Sequence, residues 1–251
     1  MKKFKKLIPA FCMLLISAVL MGTSTFAWFS MNSEVTAGTM TIKATTDANL
    51  FIAKGASVEL VSITGTSVDD LGVSKTTVKP CELEDAAGTV TVKDVATYTT
   101  APTVGTAGVA ATYTDIGTIS NTTTANETGK DVGNYVAVGF VTIARKQTTA
   151  GTYKITPVCT VNTASASNLN KALRAGLIIN GKLYESNDAN SDGATAIEFT
   201  FSEITGLSDN TAYSVALLLW FEGQDADCTA NNAVSLSQNT ASWTFTSAAN
   251  S

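Results

Sequence analysis

The run Tyr213-Ser214-Val215-Ala216-Leu217-Leu218-Leu219-Trp220-Phe221 constrains this chain more than any other segment. A strand with one wet face alternates polar and apolar side chains, whereas this one is apolar on both faces for most of its length. Read as part of a strand over Ala212–Glu222, it is expected to be a central strand of a sandwich. Most of the chain repeats that pattern more weakly, as short alternating runs separated by Gly, Asn, Asp and Ser. Val35–Thr45, Leu50–Ala53 and Val58–Thr64 open the series, and Ala196–Ile204 and Ser242–Thr246 belong to its end, the last with Trp243 and Phe245 on one face. Asn134–Lys146 is a long strand, expected to pair with Thr152–Val161 through a hairpin at Gln147–Gly151. Asn180-Gly181 joins Gly176–Ile179 to Lys182–Glu185 by the strongest short hairpin signal. Asn168–Arg174 is the one helical turn, with Ser167 or Asn168 as its cap.

Between residues 65 and 130 the sequence is rich in Thr, Ala, Gly and Val, with weak strands at Thr89–Lys93 and Val95–Thr99. Thr100–Lys130 looks least structured, and its small apolar residues give no sign of a separate core. The expected fold is therefore all-β: an antiparallel jelly roll or β-sandwich with one short helix and a Thr/Gly-rich surface insertion. Residues 28–251 are expected to form a single domain with the insertion at about 65–130.

Charge and residue usage remove several function classes. The 251 residues carry 16 basic and 21 acidic side chains, and the lysines at positions 2, 3, 5 and 6 precede the first acidic residue. Without that leader, 12 basic residues face 21 acidic ones, a net charge of −9. Such a chain lacks the basic face that nucleic acids require. It also contains no histidine, which rules out Ser-His-Asp, Cys-His and HExxH chemistry and removes the commonest zinc ligand.

Residues 1–27 have the three parts of a secretory signal peptide: a lysine-rich start, the apolar run Leu7–Leu20, and small residues before a cut. Thr25 and Ala27 occupy the minus-three and minus-one positions, which puts cleavage between Ala27 and Trp28. An uncleaved anchor helix is the alternative. After cleavage no permanent membrane anchor is expected, and the product is secreted to the extracellular space or cell surface. Cys81, Cys159 and Cys228 remain in the mature chain, so one disulfide at most can form among them. Cys159 alternates with Tyr153, Ile155, Pro157 and Val161, the position of a buried small hydrophobe.

Asp188, Asn190 and Asp192, followed by Gly193, reproduce the first half of a calcium loop. Ala194 then offers only its carbonyl and Glu198 falls one position short of the bidentate ligand, so calcium stands against a plain Asx-rich turn, and no other cofactor is expected. Glu222, Asp225 and Asp227 resemble the paired carboxylates of a glycosidase, but read better as a solvated acidic turn. Trp28, Trp220 and Trp243 suggest a sugar-stacking platform, against which strand tryptophans more often fill a core.

Gly22-Thr23-Ser24-Thr25-Phe26-Ala27-Trp28-Phe29-Ser30-Met31-Asn32, followed by Val35-Thr36-Ala37-Gly38-Thr39-Met40-Thr41-Ile42, resembles the start of the TasA and camelysin (CalY) family of Gram-positive bacteria. In that family a Thr-aromatic-Ala-x-Phe stretch is processed by a SipW-type signal peptidase, and an Ala-Gly-Thr-x-x-Ile strand opens a jelly-roll domain. The resemblance implies export by that route. The expectation that follows is a non-enzymatic structural protein, a homopolymeric subunit of an extracellular matrix or surface fibre. Its mature N-terminal segment, with Trp28, Phe29 and Met31, would act as a donor strand in the next subunit. A monomeric binding module for carbohydrate or a host ligand is the alternative.

Overall fold

The structure is a computed structural model that describes residues 41–47, 49–73, 78–86, 88–100, 107, 109–162, 171–186, 196–225, 228 and 240–249. Contacts divide the chain into residues 1–34 and residues 35–251. The first unit lies outside the described residues, and every sheet belongs to the second.

The fold is an all-β sandwich with a third layer. In the first sheet the order is β12 (Ala196–Thr200), β9 (Thr152–Asn162), β15 (Thr240–Ala249), β1 (Thr41–Thr46) and β3 (Ser67–Val68), and β13 (Ile204–Ser208) also pairs with β9. The second sheet runs β11 (Lys182–Glu185), β10 (Leu173–Ile179), β14 (Tyr213–Phe221), β8 (Val136–Ala144) and β2 (Phe51–Lys54). The third is β4 (Glu82–Ala86), β5 (Thr89–Thr100), β6 (Val109–Ile119) and β7 (Thr124–Asn126). All ladders are antiparallel except that of β1 with β15, which is parallel.

The two-faced apolar run is the central strand β14, flanked by β10 and β8. Val215, Leu217, Leu219 and Phe221 join the core shared with the first sheet, where Tyr153, Cys159, Trp243 and Phe245 are fully buried. Ala216, Leu218 and Trp220 face the other way and pack with Val90, Val92, Ile116 and Ile119 of the third sheet. Thus the described strands between 82 and 126 do more than decorate the surface. They form a sheet that supplies the cover the outer face of β14 demands, and each large apolar side chain buried there contributes about 1.5–3 kcal/mol.

The Asn180-Gly181 turn forms as expected, with φ of 52° and 67° at its two residues, the positive pair of a type I′ hairpin. Three other expectations are corrected. Asn134–Lys146 and Thr152–Val161 do not form a hairpin, because β8 and β9 lie in different sheets. Alternation explains why: β8 is buried on both faces and pairs with the equally apolar β14. By contrast β9 alternates and pairs with the alternating β15. Thr100–Lys130 contains the long strand β6, whose pairing with β5 is interrupted by repeated register shifts that scramble the two-residue period. Gly117 sits in that ladder where a Cβ would come within 2.1 Å of the Ala125 carbonyl oxygen, so only glycine lets β6 and β7 approach. Of the expected helical turn, residues 168–170 lie outside the described residues, Lys171 and Ala172 make a short 3-10 turn, and Leu173 and Arg174 already belong to β10.

Candidate functional site

The signal cleavage pair Ala27 and Trp28, the donor residues Phe29 and Met31, and the calcium candidates Asp188, Asn190 and Asp192 all lie outside the described residues. Cys81, Cys159 and Cys228 are buried free thiols, with no disulfide among them. Burial pushes the Cys159 thiol well above its usual value, and does the same to Cys81 with help from the neighbouring Glu222. The Cys228 thiol is raised to about 12 by burial and by Asp225. All three are therefore protonated at neutral pH and unsuited to nucleophilic work. Trp220 and Trp243 are core residues, at 2% and 0% exposure, so neither presents a sugar-stacking surface.

Two features of the fold bear on function. The first is a pattern of sheet edges. The outer edge of β1 is largely covered, since the Thr46 amide donates to Thr66, the Leu71 amide donates to the Ile42 carbonyl, and β3 pairs with Ala44 and Thr45. In the third sheet β4 covers β5 only over Thr89–Lys93, and β7 covers β6 only over Gly117–Ile119. Beyond those limits residues 94–100 and 109–115 form a two-stranded ribbon with ladder partners only in each other among the described residues. Its root is fixed: the Tyr135 hydroxyl donates to Asp94 Oδ2 at 3.1 Å, and Gln224 Nε2 donates to the Tyr113 hydroxyl at 3.0 Å. Val109 and Tyr113 on the ribbon are exposed, at 54% and 43%. A strand edge that no further strand covers is where an incoming extended segment can add.

The second feature is an acidic corner where the chain leaves β14. A parallel bridge ties it to the chain entering β4: the Cys81 amide donates to the Phe221 carbonyl at 3.0 Å and the Gly223 amide to the Cys81 carbonyl at 3.0 Å. Glu222 continues the alternation of Leu218 and Trp220 and turns its carboxyl toward the third sheet, within hydrogen-bonding reach of Glu82. Burial, then the bond with Glu82, raises the Glu222 carboxyl to about 8. Asp225 is held by Arg174 Nη2 at 2.5 Å. The expected solvated acidic turn is therefore corrected for Glu222, which is mostly buried and whose carboxyl is pushed well above the ordinary carboxylate range. Asp227 lies outside the described residues.

Sequence reasoning missed Glu82, since the run Glu82-Leu83-Glu84-Asp85 reads as an ordinary charged edge strand. The position of Glu222, two residues beyond Trp220 on the same strand face, was the signal for its burial. A shallow groove of about 370 Å³, lined by Lys54, Leu71, Val73, Val138 and Phe140 among others, was not foreseen either. Among the described residues no three His, Cys, Asp or Glu side chains converge to hold a metal ion, and no helix is long and apolar enough to cross a membrane. Compared with known proteins, the chain matches no family model, no curated protein and no solved structure.

Proposed function

We propose that this chain is a secreted structural protein, a subunit of an extracellular matrix or surface fibre of the biofilm kind, assembled by strand addition. The observation that carries this reading is the ribbon of residues 94–100 and 109–115, which runs on past the ends of β4 and β7 and, among the described residues, has ladder partners only in itself. A donor of matching length stands at the mature N-terminus. Trp28–Ser33 bears three large apolar side chains, and six extended residues span about 20 Å. Main-chain bonds to the ribbon edge give affinity, and alternate side chains give register. Donor and acceptor are different surfaces, so the contact does not close on itself and propagates as a filament. The resemblance of residues 22–42 to the start of the TasA and camelysin family supports export by a SipW-type peptidase and a place at the cell surface. With no histidine, and with its paired carboxyls buried against each other, the protein acts without catalysis.

Size-exclusion chromatography and electron microscopy of residues 28–251 test the reading. Filaments are expected from the mature chain, and a folded monomer from the form lacking Trp28–Ser33. Filaments of normal length from the truncated form overturn strand addition. A mature chain that stays monomeric at every concentration favours the other reading, a binding module, for which the groove beside Lys54 and Phe140 is the one specific support.

A further inference from the structure

The acidic corner brings two carboxyl groups together. Oε1 of Glu82 and Oε1 of Glu222 are both buried with no hydrogen-bond partner, although the two side chains lie within hydrogen-bonding reach of each other. Two carboxylates so placed repel, whereas a single proton resolves both, the protonated carboxyl donating to its neighbour in a charge-assisted bond. The surroundings reinforce that preference. From the β14 end, Trp220 Nε1 donates to Glu222 Oε2 at 3.5 Å, and Asp225 and the protonated Cys228 thiol stand close by. From the β4 side comes Cys81, which donates to the Tyr135 carbonyl at 3.8 Å. Asp94 acts on Cys81, Tyr113 feels both glutamates, and Glu185 on β11 faces Glu82. The cation that acts on Glu222 is Arg174, and its guanidinium is already engaged by Asp225 at 2.5 Å.

We propose that Glu82 and Glu222 form a proton-closed latch that fastens the edge of the third sheet to the end of β14 and releases it as the surroundings turn alkaline. Glu82 belongs to β4, which among the described residues is an edge strand paired with β5, while Glu222 directly follows the central strand β14. Loss of the shared proton leaves two like charges in one covered space, and β4 is the element able to move. Val90, Val92, Ile116 and Ile119 then lose their hold on Ile178, Leu218 and Trp220. The sign follows from linkage. The closed state keeps the Glu222 proton up to about pH 8, whereas an opened, hydrated carboxyl releases it near the ordinary value of 4.5. Between those limits the closed state binds more protons than the open one, so closure weakens as pH rises, by up to about tenfold per pH unit.

Hydrogen exchange followed by mass spectrometry on the mature chain, corrected for intrinsic chemical rates, tests the latch between pH 5 and pH 9. Protection of residues 82–93 and 116–126 is expected to fall by up to about tenfold per pH unit up to about pH 8, while amides of residues 153–161 and 240–247 that exchange without opening of the third sheet show no such dependence. In Glu222→Gln, which keeps the shape and carries no titrating proton, that pH dependence disappears. Constant protection of the third sheet in the unmodified chain overturns the proposal, as does an unchanged dependence in Glu222→Gln. Should that variant fail to fold, Glu82→Gln serves in its place. By removing the like charge it moves the transition toward ordinary carboxyl pH, and a transition left where it was overturns the latch.

Discussion

β14 is flanked at its two ends by covered carboxyl groups that have reached opposite solutions. Before its start, Asp209 accepts two bonds from Arg145, Nε to Oδ1 at 2.6 Å and Nη2 to Oδ2 at 3.2 Å, and a third from the Gly151 amide at 3.0 Å. Arg145 in turn lies over the Tyr153 ring, 4.9 Å from its centroid. The Arg145 guanidinium holds the Asp209 carboxyl below its usual range. Past its far end, Glu222 meets another carboxyl and is pushed up to about 8. An opposite charge lets Asp209 stay ionised under cover. A like charge obliges Glu222 to stay neutral. The first arrangement is a fastener that holds at any pH above the acid range, and the second holds only while a proton is present.

The largest effect is expected from breaking the first. Asp209→Ala strands Arg145 without its partner and leaves the Gly151 amide unmet. The pair is covered, with side-chain exposures of 12% and 2%, yet shallow, so the loss lies at the low end for a buried ion pair, about 3 kcal/mol. Urea denaturation at pH 7 measures it, and a loss below about 0.5 kcal/mol would reduce the contact to an ordinary surface salt bridge. Because the Asp209 carboxyl is lowered, the stability it contributes is present above the ordinary carboxylate value and disappears as pH falls through its folded value.

The opposite end gives the next largest effect, with the reverse sign. Glu222→Gln is expected to stabilise the protein in alkali and to change little in acid. A shift from 4.5 to about 8 corresponds to at most about 5 kcal/mol, and sharing with Glu82 reduces what one substitution recovers to about 2 kcal/mol at pH 9. At pH 4 both forms are neutral and should agree within about 0.5 kcal/mol. Parallel denaturation curves at pH 4 and pH 9 decide it, and a variant less stable than the parent at pH 9 shows that the carboxyl pair is no liability there.

The contrast also explains which parts of the molecule were legible in the sequence. Strand faces were: the two-faced pattern of Tyr213–Phe221 placed β14 at the centre, the alternation of Tyr153, Ile155 and Cys159 placed them in the core, and Asn180-Gly181 fixed its turn. Strand partners were not, because a two-residue period says which side is buried and not against which strand. That is why β8 and β9 read as a hairpin and lie in separate sheets. The third sheet was concealed by its own bulges, which erase alternation in the segment that most needed it. Both polar fasteners join residues far apart in the chain, Asp209 to Arg145 across 64 positions and Glu222 to Glu82 across more, and neither residue type advertises its partner. A central strand apolar on both faces needs cover on each side, but the Thr/Gly-rich segment that supplies the second cover read as a surface insertion.

The smallest expected effect is the sharpest test of whether the two ends differ in kind. At about 3.3 Å per residue the nine residues of β14 hold them roughly 30 Å apart, so Asp209→Asn and Glu222→Gln should add within about 0.5 kcal/mol at pH 8. Glu82→Gln and Glu222→Gln should not add. Each removes the same repulsion, and once either is made the other has nothing left to relieve, leaving the double variant short of the sum by about 1 kcal/mol. That deficit should vanish at pH 4, where the Glu222 carboxyl is already neutral and the repulsion between the two is gone. A double-mutant cycle at the two pH values measures both. Additivity of the Glu82 and Glu222 substitutions at pH 8 makes them independent acids, and no shared proton then fastens the second end of β14.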